Sequence, residues 1–256
     1  MNNGPDAMIF DLDGVITFTA RVHAAAWKEL FDSYLQKRSR RLGVPFVAFD
    51  SQTDYLKYVD GKPRYDGVAS FLASRGIQIP FGHADDPPTS ETITALGNRK
   101  DELFKKKVDE VGVDYDHEAV RLVEDLRTRG IRVGIASSSK NAIPILKKCG
   151  ILDLFAAVVD GNVSEQRHLR GKPAPDIFLR CLSELVASPV PERAGIAEDA
   201  IAGVEAGRNG GFGLVLGVDR TGSPLGQHGA NWVIKDFHDV TAEKVISFFA
   251  ARAQVA

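Results

Sequence analysis

Short apolar runs that end abruptly on charged or hydroxyl residues recur along this sequence, with helical patterns between them. That alternation leaves one broad architecture open, a parallel β-sheet covered by helices. The candidate strands span 7–11, 131–136, 156–160, 194–197 and 213–216, and a late run at 232–234 can add an edge. Helical periodicity fills 117–129, 141–149, 175–187 and 200–208. The expected fold is therefore α/β, with a Rossmann-like parallel sheet as its core.

The rhythm breaks once. Between the first strand and the strand at 131 the sequence has no parallel-strand run and reads as helices over 20–36, 67–75 and 90–110. Polar or Gly/Pro-rich loops at 60–64 and 82–88 join them. We read this stretch as an α-helical cap domain, residues 18–110, inserted into a core domain made of 1–17 and 111–256. A chain of 256 residues is long enough for both.

Composition narrows the function classes. Net charge is −2, so no global basic field draws the protein to nucleic acid or to an anionic membrane. No apolar run approaches the ~20 residues of a membrane span, and Met1 to Asp6 lacks the basic and apolar segments of a secretory leader. The two cysteines, Cys149 and Cys181, suit buried thiols in a reducing compartment better than a disulfide framework or a metal knot. A cytoplasmic protein, expected to be monomeric, fits these features. The run Lys105-Lys106-Lys107 reads as a solvated helix face.

Four strand ends carry groups suited to chemistry. The first strand ends in Asp11-Leu12-Asp13-Gly14, two carboxylates one residue apart with a glycine to turn the chain away. Carboxylates so close repel unless a cation neutralises them, and their hard oxygens suit Mg²⁺. The strand at 131–136 runs into Ser137, Ser138, Ser139, Lys140 and Asn141, where a helix start and hydroxyls can cradle an anion. Lys172 is followed by Pro173 in a braced turn that limits where its ammonium can reach. A fourth run ends in Glu198 and Asp199, bringing more carboxylates to the same sheet edge. Each signal is modest alone. Their conjunction points to Mg²⁺-dependent phosphoryl transfer, which needs a nucleophile, charge neutralisation and a proton carrier.

With these motifs in view, the sequence resembles the haloacid dehalogenase superfamily of phosphotransferases. Within it, the stretch from Phe10 to Thr17, with Thr19, Ala20, His23, Trp27 and Lys28, is similar to the β-phosphoglucomutase subfamily. So are the stretches from Ala136 to Asn141 and from Lys172 to Phe178. The resemblance implies that Asp11 is the nucleophile that becomes an aspartyl phosphate and Asp13 the general acid/base. Ser137 and Ser138, with Lys172, would hold the transferring phosphate. Asp11, Asp13, Glu198 and Asp199 would form the Mg²⁺ site.

The core alone does not choose the acceptor of the phosphoryl group. Water makes the enzyme a phosphatase, and a sugar hydroxyl makes it a mutase that must exclude water and hold a second phosphate. The cap resembles that of the mutase. Arg64 would grip the phosphate that is not transferred, with Ser139, Lys140 and Asn141 meeting it from the core, and His23 and Lys100 would couple the cap to Asp13. The implied reaction interconverts β-D-glucose 1-phosphate and glucose 6-phosphate through glucose 1,6-bisphosphate. The alternative is a phosphatase of a small sugar phosphate. Phe18, where an aspartate is usual, and Ala200, where a small hydroxyl residue is common, depart from the pattern, and the loops at 38–50 and 79–90 look longer than a minimal cap needs.

Overall fold

The computed structural model describes residues 4–253. The first three residues, part of the segment read above as lacking a leader, and the last three of the expected core domain lie outside the described residues. The chain divides into two compact units, one formed by Met1–Phe18 with Asp114–Ala256 and the other by Thr19–Val113.

The first unit is built on a six-stranded parallel sheet in the order β3-β2-β1-β4-β5-β6. Its strands are β1 (Ala7–Phe10), β2 (Arg132–Ala136), β3 (Ala157–Val159), β4 (Ala194–Glu198), β5 (Leu214–Val218) and β6 (Trp232–Ile234). The central strands are buried on both faces, which explains their continuous apolar runs in place of alternation. Phe10 of β1 pairs with Ile135 of β2 and with Ala197 of β4. The residues just past those partners, Asp11, Ser137 and the pair Glu198-Asp199, therefore share the carboxyl edge of the sheet. One side of the sheet packs on a core that includes Ile9, Phe178, Cys181, Leu182, Ile196 and Phe212. Cys181 is buried and Cys149 only half-buried; neither is in a disulfide.

The second unit is helical. It consists of α1 (Ala20–Leu42), a turn of π-helix at Tyr55–Val59, α2 (Arg64–Ser74) and α3 (Ile93–Val111). An aromatic cluster holds it together, with the Phe31 ring 5.2 Å from that of Trp27, 5.1 Å from Phe49 and 4.1 Å from Phe71. Rings at these separations add to the area they bury. The helix α1 runs six residues beyond its expected end at 36, into the stretch read as a loop. That stretch, Lys37 to Leu42, has no apolar stripe, but Lys, Arg and Leu are strong helix formers. Arg41 is also tied by two hydrogen bonds of 2.8 Å to Glu91.

After Asp114 the first unit resumes with α4 (His117–Thr128), α5 (Ala142–Lys148), α6 (Gly161–Gln166), α7 (Asp176–Leu185), α8 (Ile201–Asn209), α9 (Leu225–His228) and α10 (Ala242–Ala253). Asp116 caps α4, its carboxylate accepting from the N–H groups of Glu118 and Ala119 at 3.0 Å each. Among the described residues no helix is long and apolar enough to cross a membrane.

Candidate active site

The segment from Asp11 to Thr17 closes on itself as a tight turn. The N–H of Gly14 donates to Thr17 O at 2.7 Å, and those of Ile16 and Thr17 donate to Leu12 O at 3.1 and 2.8 Å. At its start, the N–H of Asp11 donates to Ala197 O at 2.9 Å, stitching the turn to β4. Asp13 presents its N–H to Asp11 Oδ2 at 2.9 Å, so the two acids are linked through backbone and side chain. Gly14 sits at φ +93°, in the left-handed region that favours glycine, and a Cβ there would collide with the Asp199 carboxylate. The close approach lays Asp199 directly against the turn that carries Asp13. Gly14→Ala is therefore expected to lose about 1–3 kcal/mol of stability from backbone strain. A urea melt with an unchanged midpoint would contradict that packing.

Lys172 is the charged centre of the group. Its Nζ donates to Asp11 Oδ1 and to Glu198 Oε1, both at 2.5 Å, and lies 4.9 Å from the centroid of the Phe178 ring. All three charged side chains are buried, Lys172 at 4%, Asp11 at 7% and Glu198 at 0% exposure. Burial pushes the Asp11 carboxyl up to about 8; the Lys172 ammonium opposes this, and the Glu198 and Asp13 carboxylates add to it. Burial works against the charge on Lys172, but Asp11 and then Glu198 outweigh it and hold the ammonium above its ordinary value.

Glu198, one of the expected metal ligands, makes one hydrogen bond through each of its oxygens. One oxygen takes Lys172, and the other accepts from the N–H of Ala200 at 2.8 Å. Gly203 of α8 makes this possible, because a Cβ there would collide with the Glu198 carboxylate. Both oxygens of Glu198 thus hold Lys172 and the start of α8. Among the described residues, no three His, Cys, Asp or Glu side chains form a ready-made ion cage. The oxygen-only donors at the turn, Asp11, Asp199 and the backbone carbonyl of Asp13, nevertheless have the hard chemistry that Mg²⁺ takes, with Asp199 already pressed onto Gly14.

Ser137 stands at the end of β2, its N–H donating to Val159 O at 3.0 Å and its hydroxyl reaching Asp13 Oδ2 at 3.5 Å. The cradle expected after it is partly turned inward. The N–H of Ser139 donates to Ser137 Oγ at 3.1 Å, and that of Asn141 to Ser139 Oγ at 3.2 Å. These two backbone donors brace the loop and are not presented to an anion. Ser138 is half-buried in the same loop. Lys140 forms an ion pair with Glu165 at 2.8 Å.

In the helical unit two further groupings appear. His23 Nδ1 and Lys100 Nζ are 2.5 Å apart, and the imidazole stacks on Phe104 at 3.9 Å between centroids. Lys100 is only 4% exposed and also faces the Trp27 ring at 5.0 Å. Arg64, at the start of α2, pairs with Asp101 at 2.9 Å and lies over the Tyr65 ring with its Cζ 5.2 Å from the centroid.

Sequence reasoning passed over Asp101, Asp116 and Arg220. Arg220 had one available signal, since it follows the carboxyl end of β5 by two residues, on the sheet edge that also carries Asp11, Ser137 and Asp199.

The parallel sheet with Asp11, Asp13, Glu198 and Asp199 gathered at its carboxyl edge matches a known class of phosphotransferase. A model of that class, haloacid dehalogenase-like hydrolase, matches residues 5–211, and the chain belongs to this family. Within it, the chain is 44% identical over 239 residues to the β-phosphoglucomutase of Mycobacterium bovis, covering 91% of this chain and 90% of that protein. It is 33% identical over 238 residues to the β-phosphoglucomutase of Bacillus subtilis, covering 93% and 92%. A crystal structure of β-phosphoglucomutase from Clostridium difficile superposes with a TM-score of 0.76 at 26% identity, covering 98% of this chain and all of that one.

Proposed function

We propose that this protein is a β-phosphoglucomutase, interconverting β-D-glucose 1-phosphate and glucose 6-phosphate through an aspartyl-phosphate enzyme and glucose 1,6-bisphosphate. The observation that carries the proposal is the buried Asp11–Lys172–Glu198 chain, with Asp13 bonded to Asp11, in a sequence 44% identical to a β-phosphoglucomutase over nearly its whole length.

In the proposed chemistry an Asp11 carboxylate oxygen attacks phosphorus in line. The bond from phosphorus to the sugar oxygen breaks as the Asp11–phosphorus bond forms, and Asp13 gives its proton to the departing oxygen. In the other half-reaction the 6-hydroxyl of β-glucose 1-phosphate attacks the acyl phosphate and gives its proton to Asp13, and Asp11 leaves as a carboxylate. The glucose 1,6-bisphosphate so formed returns its 1-phosphate to Asp11 and departs as glucose 6-phosphate. Lys172 neutralises oxygens of the transferring group from a position that Glu198 fixes in advance. Ser137 donates its hydroxyl and Ser138 completes the same phosphate pocket. Asp11, Asp199 and the carbonyl of Asp13 would hold Mg²⁺, which supplies charge neutralisation at the phosphate. Glu198 serves that site indirectly, through Lys172.

Arg64 is assigned the phosphate that is not transferred, since a guanidinium fork matches its oxygens. Ser139, Lys140 and Asn141 are assigned to the same group. His23 and Lys100, already paired, are assigned to coupling the cap to Asp13. The same reading has the protein acting as a cytoplasmic monomer on free sugar phosphates, without nucleic acid or membrane.

The test is purified protein with Mg²⁺, β-glucose 1-phosphate and a trace of glucose 1,6-bisphosphate, with glucose 6-phosphate and free phosphate followed together. Glucose 6-phosphate should rise with little free phosphate. Free phosphate alone would make the protein the phosphatase that its family's hydrolase description allows. Arg64→Ala should lower the mutase kcat/KM by about 100-fold, because a charge-assisted phosphate contact is lost. Loss of the same size on acetyl phosphate, which has no second phosphate, would refute its assignment.

A further inference from the structure

Gly14, the residue after Asp13, is held by every handle it has. Its N–H goes to Thr17 O, its Cα faces the Asp199 carboxylate, and its carbonyl accepts from Arg220 Nε at 3.1 Å. Arg220 thus brings a positive charge onto that backbone carbonyl. Its Nη2 meanwhile donates to Asp116 Oδ2 at 2.5 Å, and its Cζ lies 5.2 Å from the centroid of the Phe18 ring.

Both partners of Arg220 are themselves fixed. The other Asp116 oxygen caps α4, and the N–H of Asp116 donates to Ile16 O at 2.8 Å, within the Asp11–Thr17 turn. Phe18 leaves that turn with its N–H on Asp114 O at 3.0 Å. Arg220 is fixed from its own side by Asp219. The Asp219 side chain accepts from the N–H groups of Thr221, Gly222 and Ser223 at 3.2, 2.7 and 2.8 Å, while its own N–H donates to Ile234 O at 2.7 Å.

We propose that Arg220 is a positioning residue for Asp13, clamping the Asp13–Gly14 turn between β5 and α4 so that the Asp13 carboxyl stands where it can pass a proton. The proposal rests on the acid–base role assigned to Asp13 above. The planar guanidinium suits this task because one edge serves a carbonyl through Nε and a carboxylate through Nη2, while its face lies on Phe18. An ammonium reaches one acceptor well and leaves the other. The aromatic ring at position 18, an oddity in the sequence, thereby acquires a use as the platform under the clamp.

A clamp that positions a general acid matters only when the leaving group needs a proton. Phosphorylation of Asp11 breaks a phosphorus–oxygen bond and forms the Asp11–phosphorus bond with either of two donors. The sugar oxygen of glucose 1,6-bisphosphate leaves with the Asp13 proton, whereas the acetate of acetyl phosphate leaves as a stable anion without one. The experiment is acid-quenched single-turnover formation of phosphoenzyme from each donor in wild type, Arg220→Met, Asp116→Asn and Asp13→Ala.

Arg220→Met should slow transfer from the bisphosphate about 30-fold and from acetyl phosphate less than about 3-fold, since general acid catalysis contributes about 100-fold or more when intact. Asp116→Asn keeps an oxygen to cap α4 and should show the same selectivity at about 5-fold, which covers the case in which Arg220→Met does not fold. Asp13→Ala sets the pattern both should follow. Equal losses on the two donors in the Arg220 and Asp116 variants, with Asp13→Ala still selective, would reduce Arg220 to a structural ion pair. If Asp13→Ala is itself unselective, the acid–base assignment falls and the clamp falls with it.

Discussion

Asp11→Asn is expected to abolish turnover, lowering kcat by at least about 10⁴-fold, because an amide cannot become an acyl phosphate. The side chain sits at the carboxyl end of the central strand β1, with one oxygen on Lys172 and the other on the N–H of Asp13. An asparagine fits the same volume, so the fold should survive and circular dichroism should match the wild type. Intact-protein mass spectrometry after exposure to acetyl phosphate should show no added phosphoryl group. Turnover within tenfold of wild type would remove Asp11 from the chemistry.

Lys172→Met is expected to cost about 10³-fold in kcat and to change how stability depends on pH. The ammonium is the positive charge between two buried carboxylates, Asp11 and Glu198. Without it their mutual repulsion and burial drive the folded state to bind a proton more tightly than the unfolded chain does. A carboxyl whose folded pKa lies above its unfolded value stabilises the fold at low pH, and that contribution is lost as pH rises through the folded value. Melting of Lys172→Met in a chelator should therefore occur at a lower temperature near pH 8 than near pH 5, by more than any change seen in the wild type. A parallel shift of both proteins would mean that Lys172 does not neutralise the pair.

The sheet and the acids at its edge were legible because the central strands, buried on both faces, leave unbroken apolar runs, and the runs of β1, β2 and β4 stop where the chain meets the site. Asp11, Ser137 and Glu198 all follow such stops. The helical character of the inserted segment was legible for the related reason that it lacks such runs. What could not be read is pairing across long sequence distances. Nothing in the order of residues says that Arg64 meets Asp101, that Lys100 meets His23, or that Arg220 crosses to Gly14 and Asp116. Glu198 shows the limit most clearly. Its type and place fit a metal ligand, and only the geometry reveals that its oxygens also accept from Lys172 and from the N–H of Ala200. The helices α6, α9 and α10 also went unread; the first two are only six and four residues long, too short for an apolar stripe to register.

The close fit of Gly203 against Glu198 reaches beyond the two residues that make it. In most helices an interior glycine is a weakness that alanine would repair, raising stability by about 0.4–1 kcal/mol. Here the repair is closed, because a methyl group at 203 would displace the carboxylate that steadies Lys172. The helix after β4 must therefore keep a glycine in its first turn. Placement of Lys172 and the composition of the helix beside it are thus tied together, and an alanine that strengthened α8 at 203 would come at the expense of a well-placed Lys172.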